Sequence, residues 1–258
     1  MDLKGKAALV TGGSRGVGAA TARMLARAGC DVAVNYNASA EAAGQVVDDC
    51  QEAGARAISV QGDVASDVVC RHLVAESVNA FGRLDVLVNN AGTTRFVGFG
   101  NLDDVREEDW DRILGVNLKG PFQCARAART HLATEGGVIV NTASVAGIRG
   151  AGSSIPYAAS KAALINLTLA LARSLGPEIR VNAVAPGFIE GDWLQDGLGE
   201  NYESTRQTKM KESLLDAVST PEDIAQGILS LVMADKVTGH TLVIDGGHSV
   251  GPSLGGGI

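Results

Sequence analysis

The chain has 258 residues, 45% hydrophobic and 20% charged, a balance that excludes a disordered or fibrous protein and suffices for a large buried core. With 22 Lys and Arg against 29 Asp and Glu, the net charge is -7, which argues against a nucleic-acid partner. No window approaches about 18 consecutive apolar residues and the N-terminal apolar run is short, so neither a membrane span nor a signal peptide is expected, and the location is expected to be cytoplasmic.

The predicted elements alternate. KAALVT (6–11) is a strand, GAATARMLARAG (18–29) a helix closed by Gly29, DVAVNY (31–36) a strand, SAEAAGQVVDDCQEAG (39–54) a helix and RAISVQ (56–61) a strand. LDVLVNN (84–90), GGVIVNTAS (136–144), RVNAVAP (180–186) and TLVIDGG (241–247) bring the strands to seven. Most are continuous apolar runs, which belong in a parallel sheet covered by helices on both faces. The expectation is therefore an α/β, doubly wound parallel sheet of the Rossmann type. Apart from the glycine-rich tail at 251–257, no linker, repeat or shift in composition divides the chain, so residues 1–258 are read as a single domain. Cys30, Cys50, Cys70 and Cys124 form no CxxC pair and are expected to be reduced and packed, with no metal site.

In such a sheet, ligands gather at the carboxyl ends of the strands. TGGSRGVG (11–18) lies at the first strand-to-helix turn, where Gly12, Gly16 and Gly18 permit tight backbone geometry. The main chain of Ser14, Arg15 and Val17 is there presented to a pyrophosphate at the helix N-terminus. A glycine-rich turn also serves purely structural ends in many folds. Further along, LVNNAG (87–92) ends the fourth strand, NTASVAG (141–147) the fifth, and YAASK (157–161) opens the next helix.

Together, TGxxxGxG, NNAG, a serine thirteen residues before a tyrosine, and YxxxK resemble the short-chain dehydrogenase/reductase family, from Lys6 to about Gly247. The resemblance implies a catalytic set of Asn117, Ser144, Tyr157 and Lys161, with Asn117 holding a water that links Lys161 to solvent. It also implies a cofactor groove that includes Asp63 and Val64, Asn90, Ala91 and Gly92, the Tyr157–Lys161 pair, and Pro186, Gly187 and Ile189. A helix N-cap explains Asp63 almost as well.

The chemistry of the pair can be argued from the residues. A tyrosine acting as acid or base near neutrality must lose about 3 pH units from its usual value near 10, about 4 kcal/mol. Lys161, four residues on along a helix, shares a face with Tyr157 and supplies a cation, and an oxidised nicotinamide would supply another. Ser144 is placed to donate to the substrate oxygen while Tyr157 transfers the proton.

An enzyme preferring NAD(H) usually carries an acidic residue at the end of the second strand. Tyr36 stands there instead, so NADP(H) is favoured over NAD(H), with Arg15 pairing a 2′-phosphate and Asn35 and Ser39 adding hydrogen bonds. A solvated loop charge is the alternative for Arg15.

The substrate is expected to be a small-molecule carbonyl or the corresponding alcohol. PGFIE (186–190) is similar to bacterial 3-oxoacyl-carrier-protein reductases, and Arg126, Arg129 and Arg173 could meet an acidic carrier protein bearing a thioester-linked substrate. Sugars, polyols, and cyclic or aryl alcohols are the alternatives, and a non-catalytic nucleotide-binding sensor is the alternative of another class. Gly191 stands where the family usually has threonine. Five of the ten aromatic residues, Phe96, Phe99, Phe188, Trp193 and Tyr202, fall in two variable segments, one of them a substrate lid expected at about 188–219. A homotetramer built on the long helices after strands four and five is also implied by the resemblance.

Overall fold

A computed structural model describes residues 1–251; from residue 252 the glycine-rich tail lies outside the described residues. In chain order the elements are β1 (Ala7–Val10), α1 (Gly16–Arg27), β2 (Asp31–Tyr36), α2 (Ala40–Glu52), β3 (Ala57–Gln61), α3 (Asp67–Phe81) and β4 (Val86–Asn89). After them come α4 (Glu107–Leu114), a π turn (Gly115–Lys119), α5 (Gly120–Leu132), β5 (Val138–Thr142), α6 (Ala146–Arg149), α7 (Ile155–Leu175) and β6 (Arg180–Pro186). The chain continues through α8 (Asp192–Leu198), α9 (Tyr202–Glu212), α10 (Pro221–Met233) and β7 (Thr241–Ile244).

The seven strands form one parallel sheet in the order β3-β2-β1-β4-β5-β6-β7. This is the doubly wound fold that the apolar runs require. Residues of β1 alternate between its faces: Ala8 and Val10 pack with Leu25 of α1, Val46 of α2 and Ile228 of α10, whereas Ala7 and Leu9 pack with Leu73 of α3 and Leu132 of α5. Strand order reverses between β1 and β4, so the carboxyl ends of these two parallel strands flank the crevice where a nucleotide can lie.

Helix α7 is buried along Tyr157, Lys161, Leu164, Thr168 and Leu171. Ser154 caps its first turn by accepting from the Tyr157 N–H, and Pro156 sits where a helix has no use for an N–H. It is also the one described helix long and apolar enough to cross a membrane, but half of its most apolar stretch lies inside the protein. A ladder of buried amides stitches β4 to β5 and α7: Asn89 Nδ2 donates to Asn141 Oδ1, and Asn141 Nδ2 to Thr168 Oγ1, each at 2.9 Å. All four cysteines are buried free thiols.

Candidate active site

The turn between β1 and α1 is held from both sides by asparagines. Asn90 Nδ2 donates to Thr11 O at 3.1 Å and to Gly12 O at 3.0 Å, while Asn35 Oδ1 accepts from Gly12 N at 3.2 Å. Glycine is required at Gly18, where a Cβ would lie 2.2 Å from Gly12 O and 2.5 Å from Asn90 Nδ2. Gly12 has φ +60°, and its Cβ would fall 2.8 Å from Ala91 Cα. The first helical N–H with a chain partner is that of Ala19, which donates to Arg15 O, and no side chain caps the turn. The N–H groups of Gly16, Val17 and Gly18 are therefore free to hold an anion, which is the fit a dinucleotide pyrophosphate requires.

Four polar residues converge beyond the ends of β4 and β5. Lys161 Nζ donates to Thr142 O at 2.6 Å and lies 5.7 Å from the Tyr157 ring centroid. Ser144 Oγ accepts from Ala146 N at 3.1 Å, fixing the hydroxyl at the start of the turn after β5. That turn is pressed on α7 through Gly147, whose Cβ would lie 2.4 Å from Ala162 N. Asn117, in the π turn, is fully buried; its Oδ1 accepts from Thr93 N at 2.8 Å, and its Nδ2 donates to Thr93 O and Ser160 Oγ at 3.0 Å each. Ser160 in turn donates to Tyr157 O at 2.7 Å. The asparagine therefore ties the loop after β4 to the helix carrying Tyr157 and Lys161.

A family model described as enoyl-(acyl carrier protein) reductase matches residues 12–249. The chain is 44% identical over 246 residues to the protein named ketoacyl reductase 2 of the granaticin polyketide synthase of Streptomyces violaceoruber, covering 93% of this chain and 94% of that one. It is 39% identical to the 3-oxoacyl-[acyl-carrier-protein] reductase FabG of Staphylococcus aureus, covering 94% and 97%. A short-chain dehydrogenase from Burkholderia cenocepacia, solved in complex with NADP, superposes with a TM-score of 0.87 at 42% identity over 96% of this chain and all of that one. The chain belongs to the short-chain dehydrogenase/reductase family. It is accordingly an oxidoreductase.

Within this short-chain dehydrogenase/reductase, one expectation is corrected by the structure. Asn35 does not face outward: it is buried, and its Nδ2 donates to Val60 O at 3.2 Å and Gly62 O at 2.9 Å, so it positions the glycine turn instead of meeting a phosphate. At the catalytic pair, burial pushes the Tyr157 phenol up to about 12, with the Ser144 hydroxyl opposing the rise, and burial lowers Lys161 to about 8. The Asn117 amide has both of its N–H groups engaged, by Thr93 O and Ser160 Oγ, so its side chain ties these segments together.

Other expected residues take varied positions. The Arg15 side chain is exposed and makes no hydrogen bond or ion pair among the described residues; Tyr36 ends β2, and the Ser39 side chain precedes α2 without capping it. Asp63 accepts from Ala65 N at 3.0 Å and pairs with Arg112, a partner that no sequence motif announced. Val64 is buried in the core, so only its main chain is presented. Ala91 N and Asn90 N both donate to Thr11 Oγ1 at 3.0 Å, and Gly92 borders Lys161 and Asn117. Pro186 ends β6 and its carbonyl accepts from Val145 N; Gly187 packs on Asp245, and Ile189 bridges to Ser219. Gly191 has φ +135°, a conformation that threonine would adopt only under strain.

Proposed function

We propose that the protein reduces a ketone to a secondary alcohol with NADPH, and runs the reverse reaction with NADP+. The observation that carries the reading is the convergence of Ser144, Tyr157, Lys161 and Asn117 at the strand ends beside an uncapped helix N-terminus. NADPH, when bound, supplies the hydride. The residues suited to hold it are the α1 turn for the pyrophosphate, Arg15 for a 2′-phosphate, and the 186–189 segment, which begins beside Ser144. No carboxylate at Tyr36 opposes a 2′-phosphate, and the Burkholderia neighbour's NADP agrees with that preference.

In this reading Tyr157 is the proton donor. Burial keeps its phenol protonated at neutral pH, the state that reduction needs, and the Ser144 hydroxyl beside it is placed to hold the substrate oxygen. Lys161, lowered by burial to about 8 and 5.7 Å from the Tyr157 ring centroid, is suited to resupply that proton. The segment 188–219 is the substrate lid, hinged where Ile189 meets Ser219 and braced by Arg206 on Glu190.

Three finer expectations extend the reading. A homotetramer is supported by apolar side chains left exposed on the long helices after β4 and β5, Phe122 on α5 and Leu169 on α7. The cytoplasmic assignment rests on the FabG relative. A carrier protein is supported less: Arg126 is taken by Asp67, leaving exposed Arg129 and Arg173. The test is NADPH consumption against a panel of carbonyls by wild-type protein and Tyr157→Phe. The variant is expected to bind NADPH yet lose at least about 100-fold in turnover. Turnover by no ketone would leave the sensor reading, and an active Tyr157→Phe would place the proton donor elsewhere.

A further inference from the structure

The segment read above as the lid meets Tyr157 through a ring contact. Trp193 lies 5.9 Å from the Tyr157 ring centroid, tilted by 54°, and 6.4 Å from that of Phe96 in an edge-to-face pair. Gly197, four residues on and hence on the same face of α8, lies directly against the Phe96 ring. A Cβ there would be 2.0 Å from Phe96 Cε2 and 2.1 Å from Cζ. Helical backbone does not by itself ask for glycine at this position; the ring does.

Phe96 is a fixed wall. Its neighbours are tied down on both sides, Thr94 Oγ1 to Ser153 Oγ at 2.7 Å, Val97 N to Ser153 O at 2.8 Å, and Arg95 Nη1 to Asp109 Oδ2 at 2.6 Å. Trp193 is the adjustable wall, with 41% of its surface exposed although it touches two other rings. A carbonyl carbon brought to the Tyr157 hydroxyl places its substituents against these two side chains. A ring there replaces the ring contacts that Trp193 gives up in moving aside, each worth roughly 2- to 10-fold in affinity. An open alkyl chain replaces only contact area and loses rotational freedom as it is confined.

We propose that Phe96, Trp193 and Gly197 are specificity-determining residues that make this site select a ketone fused to or adjoining a ring. The proposal rests on the ketone-reductase reading and names its substrate class. Wild-type protein with NADPH is expected to show kcat/KM at least tenfold higher for 1-tetralone than for 2-decanone, which has the same number of carbons. Trp193→Leu, which keeps an apolar side chain without a ring, is expected to bring the ratio to near unity, whereas Trp193→Phe retains most of it. Gly197→Ala, which displaces Phe96 without adding a substrate contact, is expected to lower the ratio in the same way as Trp193→Leu.

A binding readout separates this proposal from the function. In a Trp110→Phe background Trp193 is the remaining tryptophan, and its emission is expected to be quenched at lower concentrations of 1-tetralone than of 2-decanone. Equal kcat/KM values, a ratio preserved in Trp193→Leu, or equal quenching by the two ketones would overturn the ring selection. Absence of turnover with preferential quenching by 1-tetralone would instead overturn the reductase reading alone.

Discussion

Lys161 carries a cost in the folded protein that its pH dependence should reveal. Its ammonium is buried with a single carbonyl partner, and burial lowers it from the usual lysine value to about 8. Below pH 8 both folded and unfolded chains hold the proton, so folding bears the full cost of the buried charge. Between about 8 and the unfolded value near 10.5 the unfolded chain binds more protons, and stability rises with pH. Lys161→Met removes this dependence. Relative to wild type, the variant's advantage in cofactor-free protein should shrink by roughly 3 kcal/mol from pH 7 to pH 10.5, the free-energy equivalent of the lowered value. Urea unfolding of both proteins across that range measures it, and a constant difference would show that Lys161 is hydrated despite its burial. Tyr157, raised to about 12, is present in both chains and cancels in the comparison.

The β1–α1 turn separates two kinds of contribution to cofactor binding. Asn35 bonds the turn to β3 from beneath, so Asn35→Ala strands the main-chain groups of Gly12, Val60 and Gly62, at about 1–3 kcal/mol for each one left unpaired. Affinity for NADPH and NADH should then fall together. Arg15→Ala removes a charge from the rim and should cost about 1.5–3 kcal/mol for NADPH with little change for NADH. Fluorescence titration of both cofactors decides between them, and an Arg15→Ala variant that loses NADPH and NADH equally would return Arg15 to the role of a solvated loop charge. The contrast also marks what was legible in the sequence. The motifs announced which residues stand at strand ends, because a glycine turn and a YxxxK pair are local patterns. They did not announce which way Asn35 points, since its partners Val60 and Gly62 lie a strand away. Strand existence was read from apolar runs, and both ends of β2 were placed correctly; β1, β4, β5 and β7 are shorter than expected because turn residues such as Thr11 and Ser144 leave the ladder. The packing of Phe96 on Gly197, about a hundred residues apart, has no local signature, and neither has the pairing of Asp63 with Arg112.

At the scale of the molecule, the site is assembled from distant parts of the chain: the turn after β1, the ends of β4 and β5, the start of α7 and the segment after β6. None of these parts keeps its geometry without the sheet, so the cofactor binds the folded chain and not the unfolded one. Binding must then stabilise the whole fold by mass action, by about 2.7 kcal/mol at a free concentration one hundred times Kd. For a chain of this size that corresponds to a rise in Tm of roughly 5–10 °C. At equal concentrations the rise should be larger with NADPH than with NADH, and the difference should vanish in Arg15→Ala if the exposed guanidinium pairs with the 2′-phosphate. Salt should narrow the gap in wild-type protein, because an ion pair at the rim is screened, and should leave Arg15→Ala little changed. Calorimetric scans at two salt concentrations give both comparisons. Dilution supplies a further axis: a homotetramer makes Tm fall as protein concentration falls, whereas a monomer leaves it fixed. Equal shifts from the two cofactors in wild-type protein would overturn the NADP(H) preference while leaving the reductase chemistry of Tyr157 untouched.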